Sequence, residues 1–115
     1  MERVKKILNE LIKEMDIDKT IKLIIVPMRQ KVASLSFKTK LLRLNHKAVK
    51  VLNSEEIRYI LIHELIHFKV KDINHGSLFL RELEKHYTLE EAYNFEIEII
   101  KKLLESYKIE KISLS

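Results

Sequence analysis

The chain of 115 residues has no cysteine. Disulfides and thiolate ligands are therefore excluded, and any metal site must be built from His, Asp or Glu. It has a single glycine and a single proline, and no flexible linker, low-complexity segment or internal repeat divides it. Abundant Ile, Lys and Glu alongside that scarcity suit a thermophile or an AT-rich genome. No apolar run reaches the ~20 residues that span a bilayer. Residues 1–14 are charged throughout and lack the apolar stretch of a signal peptide. The expectation is one soluble, cytoplasmic domain over residues 1–115, without membrane association.

What is present points to a folded chain. Hydrophobic residues make up 46% of it, enough for a core. The formal charge is +5, from 22 basic and 17 acidic residues. Read over the whole chain, the two signs are interspersed, so the lysines are expected to be solvated and a nucleic-acid partner is not expected.

The apolar spacing of Val4, Ile7, Leu8, Leu11, Ile12 and Met15 predicts an amphipathic first helix. Ile21–Val26 is β-branched and bounded by Pro27, and reads as a strand. Val32–Phe37 alternates as a half-buried strand does. Thr39 and Lys40 turn into a third strand, Leu41–Asn45, and residues 47–52 are extended or a short helical turn. Asn53-Ser54-Glu55-Glu56 is a capping box opening a helix to about Val70. Further helices are predicted over about Ser77–Tyr87 and, behind the capping box Thr88–Glu91, to about Tyr107, with Lys108–Ser115 as a tail. Strands precede helices in blocks, so the class is α+β.

The helix opened by that first capping box, to about Val70, holds the conspicuous stretch, Ile57–Phe68, which reads IRYILIHELIHF. It is nearly all apolar, yet contains His63, Glu64 and His67. Burying such groups without partners costs roughly 1–3 kcal/mol each, so something should compensate. His-Glu-x-x-His is the pattern of zinc peptidases. Residues four apart on a helix differ by about 40° around the axis and one turn along it, so both imidazoles can face one ion. Glu64, about 100° further round, is placed beside the ion rather than on it, as a general base toward water. The pattern arises in roughly a few per cent of shuffled chains, so its setting on a buried, capped helix matters.

A catalytic zinc site needs a third protein ligand. Asn74-His75-Gly76 is the best source, because it follows the motif helix closely and Gly76 is expected to permit a sharp return. Glu82, Glu90 and Glu91 are alternatives. His86, Tyr87 and Tyr93 are candidates to stabilise an oxyanion; His46 is expected at the surface. The absence of Pro-Cys-x-x-Cys excludes a zinc deaminase.

HELIHFKVKDINHGSLF resembles the active-site region of small zinc peptidases of the gluzincin tribe, the minigluzincins above all, and the His-Gly-x-x-Phe arrangement is shared with SprT-like peptidases. KVASLSFKTKLLRLN is similar to the strand pair before the motif in YgjP-type proteins. Together the likeness covers Val32–Phe79. It implies a minimal zincin-like fold: a first helix, a small sheet whose edge strand near Val32–Phe37 pairs with an extended substrate, and the motif helix beneath. It also implies His63, His67 and His75 as ligands of one Zn²⁺ and Glu64 as the catalytic residue. The related pattern has Trp-Gly where this chain has Val32-Ala33. Minigluzincins are latent forms held by their C-terminal segments. The resemblance therefore implies that about residues 89–115 cover the cleft, in the same chain or across a homodimer. The expected function is zinc-dependent hydrolysis of peptide bonds in peptide or protein substrates. The competing readings are a non-catalytic, self-assembling zinc domain and a nucleic-acid-associated peptidase of SprT-like habit.

Overall fold

In a computed structural model describing residues 2–71 and 74–107, the order is α1 (Glu2–Glu14), β1 (Lys22–Val26), β2 (Ala33–Leu35), β3 (Leu41–Asn45), α2 (His46–Val51), α3 (Ser54–Val70), α4 (Ser77–Glu84) and α5 (Leu89–Tyr107). The α+β class and the three strands are as expected. The stretch left open between extended chain and a helical turn is the short helix α2, and α4 stops at Glu84, short of Tyr87.

The sheet has the order β1-β3-β2, with β1 parallel and β2 antiparallel to β3. The last strand in sequence is thus the central one. Its inward residues Leu42 and Leu44 are fully buried, as are Val32 and Ala33 at the start of β2. The β2–β3 hairpin closes where Lys40 takes a left-handed conformation (φ 57°), and its N–H donates to Ser36 O at 2.9 Å. Asn45 ends β3, accepts from the Lys47 N–H to cap α2, and donates to the carbonyls of Met28 and Lys31 across the β1–β2 loop.

Helix α3 is the axis of the core. From Ile57 to Phe68 every residue except Arg58 is buried. It starts in the predicted capping box: Asn53 Oδ1 accepts from the Glu56 N–H (2.8 Å), and Glu56 Oε1 accepts from the Asn53 N–H (3.0 Å). Glu56, 4% exposed, also receives Lys102 Nζ at 2.8–2.9 Å, which ties α5 to the start of α3. Asn53→Ala is expected to destabilise the fold by about 1 kcal/mol, read as a lower midpoint of chemical denaturation with an unchanged slope. Arg58 binds Glu14 of α1 at 2.9 Å, and Arg3 donates to the carbonyls of Val49 and Leu52.

On α5 the outcome differs from the sequence pattern. The pattern of the last helix predicts a stripe of Leu89, Ala92, Tyr93, Glu96, Ile97, Ile100, Leu103, Leu104 and Tyr107, but Leu89, Tyr93 and Ile97 are 49%, 66% and 44% exposed. Ala92 and Leu103 of that stripe are buried, together with Ile99, which lies outside it, and Phe95 is half-buried beside them. Apolar residues on α5 exceed one face, and contact with α2 and α3 selects which of them are covered. The predicted tail, residues 108–115, lies outside the described residues.

Candidate metal centre

His63 and His67 stand one turn apart on α3, and their ring centroids are 4.9 Å apart. Both are buried, at 2% and 6% exposure. Lys71 ends α3 in a left-handed conformation (φ 57°, ψ 38°), its N–H donating to His67 O. The return therefore starts at Lys71. Gly76, expected to make it, has an ordinary extended backbone (φ −81°), and a Cβ there would meet nothing. It serves instead as the residue before α4.

His75 comes back against the motif. Its Nε2 lies 3.0 Å from His67 Nε2, and its ring centroid is 5.0 Å from that of His63. One ligand nitrogen from each of His63, His67 and His75 lies within 4.8 Å of the others. Two nitrogens 2.0–2.1 Å from a tetrahedral zinc would be about 3.3 Å apart, so the trio needs only small adjustment to fit such an ion. An all-imidazole set suits zinc better than the hard alkaline-earth cations. Burial, then the neighbouring His63 and His67, hold His75 below its ordinary pKa, which favours the neutral form that ligates. Phe79 forms the floor, its ring 5.0, 4.6 and 4.7 Å from those of His63, His67 and His75.

Glu64 is 3% exposed, and its Oε2 lies 3.2 Å from His63 Nδ1. With the proton on Nδ1, the imidazole donates to the carboxylate and keeps the Nε2 lone pair for an ion. Carboxylate orientation of a metal-ligating histidine works in this way.

Residues 1–94 match the YgjP-like metallopeptidase domain. The chain belongs to the YgjP-like metallopeptidase family. Its relatives include an uncharacterized protein of Methanocaldococcus jannaschii, MJ0123, 46% identical over 101 residues that span 88% of this chain and 92% of the relative. Another, aq_aa15 of Aquifex aeolicus, is 31% identical and spans 73% of this chain and 72% of its own. Among solved structures, the metallopeptidase zymogen jannalysin of M. jannaschii superposes with a TM-score of 0.83 at 46% identity, over 88% of this chain and 90% of its own. The zymogen abylysin of Pyrococcus abyssi superposes at 0.79 with 29% identity, over 95% and 99%. The likeness read from the motif region is thus borne out. A metallopeptidase needs a metal, and the three histidines form a group that could hold it.

The other candidates of this YgjP-like domain have different partners. Glu82 is engaged by Lys69 (3.3 Å) and Lys85 (2.9 Å), and Glu91 closes the capping box with Thr88. Glu90 is exposed, and so is His46 at the start of α2. Tyr93 is 66% exposed. Tyr87 packs edge-on to Tyr59 and Phe95, and its hydroxyl is pushed up to about 12, chiefly by burial. Burial and Arg58 lower the pKa of His86.

Sequence reading missed Tyr59. It lies one turn before His63 on the same face, fully buried, with ring centroids 6.2 Å apart. Its hydroxyl donates to Glu96 Oε2 of α5 at 2.5 Å. Burial and then that bond raise its pKa, so it stays a phenol. The signal was a polar head four residues before His63, together with one acid inside the apolar stripe of the last helix.

Proposed function

We propose that the chain is a zinc-dependent endopeptidase in which His63, His67 and His75 hold one zinc ion and Glu64 is the catalytic base. The observation that carries this reading is the convergence of three imidazoles from α3 and the loop before α4 beside a buried carboxylate. A zinc ion bound there would polarise a scissile carbonyl and acidify a water. Glu64 takes the proton of the attacking water and passes it to the leaving amine. Its low exposure keeps competing solvent away from that exchange. His63 steers the carboxylate through Nδ1, and Phe79 sets the planes of all three imidazoles.

Strand β2 supports binding of an extended substrate. In the antiparallel ladder the Asn45 N–H donates to Val32 O and the Ser36 N–H to Leu41 O, so Val32, Ser34 and Ser36 direct their main chain toward β3. The main-chain groups of Ala33 and Leu35 then point to the open edge, where a substrate strand can add. Phe37 packs edge-on against Phe68, the residue after His67, which joins this strand to the motif helix.

We also propose that the form in hand is latent, held by residues 89–115 in the same chain or across a homodimer. The similar structures of jannalysin and abylysin are zymogens, and Leu89, Tyr93 and Ile97 present an apolar row for such a contact. The test is hydrolysis of an unstructured, casein-like chain by the zinc-loaded protein, full-length and truncated after Leu104. The expected result is cleavage that rises several-fold on truncation and disappears with chelator. A zinc-loaded, truncated chain that cleaves nothing would favour the non-catalytic zinc domain.

A further inference from the structure

The charges of this chain are segregated in a way that its net charge conceals. Nine of the 22 basic residues fall within residues 19–54, and none of the 17 acidic residues does. The interspersed pattern of the whole chain therefore breaks down over the segment that forms the sheet. Asp18, at its border, is taken up by Lys40 at 2.6 Å.

On the outer face of the sheet, Arg43 of β3 pairs with Ser34 of β2 on one side and Ile24 of β1 on the other. This face is opposite the buried Leu42 and Leu44. A depression of about 270 Å³ opens there, lined by Ser34, Ser36, Thr39, Leu41 and Arg43. Among the described residues its lining holds a guanidinium and three hydroxyls and no carboxylate. Arg43 is exposed, and among the described residues no carboxylate pairs with it. A planar, fixed-charge donor among hydroxyls is a carboxylate-recognition arrangement.

We propose that Arg43, with Ser34 and Ser36, is a specificity subsite for an acidic side chain of the substrate. The inference rests on the peptidase reading and names a preference of that same site. A substrate strand added to the open edge of β2 turns alternate side chains to the outer face, the face of Ser34 and Arg43. It lies two strand spacings from β3, about 10 Å. Ser34, which stands between, is short enough for the Arg43 side chain to cross it and meet a Glu. A pocket that fits one carboxylate beside an open strand edge favours a peptide over a nucleic acid, whose phosphates call for cations spread along a track.

The test uses two labelled, extended peptides, one with Glu at alternate positions and its counterpart with Gln. Binding is measured by fluorescence anisotropy to the zinc-loaded chain carrying Glu64→Gln, full-length and truncated after Leu104, and is read from whichever form binds more tightly. The Glu peptide is expected to bind about tenfold tighter at low salt, the ratio falling toward one with Arg43→Gln. Arg43→Glu should turn the preference to a Lys peptide. In the catalytically intact chain, Arg43→Gln should raise KM for the Glu peptide with kcat nearly unchanged, since the contact is made equally before and during the reaction. Equal binding of the two peptides, no binding of either, or a ratio indifferent to Arg43 overturns the subsite. So does salt-dependent binding of a DNA duplex by a chain that does not discriminate the peptides. Cleavage of both peptides without discrimination leaves the peptidase reading standing. An Arg43-dependent preference in binding without any cleavage removes the peptidase reading and keeps the anion site.

Discussion

Replacing Glu64 with glutamine is expected to lower kcat/KM for peptide hydrolysis by roughly 10²–10⁴-fold, the usual contribution of a positioned general base, while zinc content is unchanged. The substitution keeps the shape of a side chain that is 3% exposed and beside His63. Packing around α3 should therefore hold, and what disappears is the capacity to take a proton. Glu64 stands off the three-nitrogen group formed by His63, His67 and His75, so the ion should bind with near-native stoichiometry. The measurement pairs kcat/KM with metal analysis of the same preparation. It uses whichever form, full-length or truncated after Leu104, gives the higher wild-type rate. Wild-type-like turnover in the variant would remove Glu64 from the mechanism, and loss of zinc would make it a ligand.

The second large effect is on stability. A ligand that binds only the native state stabilises it by RT ln(1 + [L]/Kd), about 4 kcal/mol when free metal exceeds Kd a thousandfold. In a chain of this size about 1 kcal/mol moves Tm by roughly 4 °C, so chelation is expected to lower Tm by roughly 15 °C. His75→Ala should abolish most of that difference. It is the right residue to change because it is exposed, whereas His63 and His67 are buried and their truncation would also open the core. The apo variant should melt close to the apo wild type, since His75 belongs to the edge of the cluster. The check is a pair of calorimetric scans, zinc-loaded and chelated, for each protein. An undiminished zinc shift in His75→Ala would show that the ion has another third ligand.

Much of the candidate site was legible because its geometry is local. The four-residue interval between His63 and His67 has one meaning on any helix, and the capping box Asn53–Glu56 says where that helix begins. Likewise the interval from His75 to Phe79 places a ring one turn beyond the third histidine. Gly76 shows the limit of such reading. A glycine after a loop suggested a strained turn, but the strain sits at Lys71, which takes the left-handed conformation.

The sequence by itself determined the elements, the apolar motif helix and the unequal chemistry of His63, Glu64 and His67, because helix periodicity and capping act over three or four residues. The tertiary structure decided three other matters. It made β3 the central strand, parallel to β1, which no local pattern specifies because pairing joins residues far apart in the chain. It turned α5 so that Ala92, Ile99 and Leu103 are buried while Leu89, Tyr93 and Ile97 face out, setting Glu96 on Tyr59. A helix with more apolar residues than one face can hold has its orientation chosen by the surfaces it meets. It also gathered Arg43 with Ser34 and Ser36 in one depression. The basic residues were countable in the chain, but only strand pairing puts one of them beside an open edge where, among the described residues, no carboxylate pairs with it.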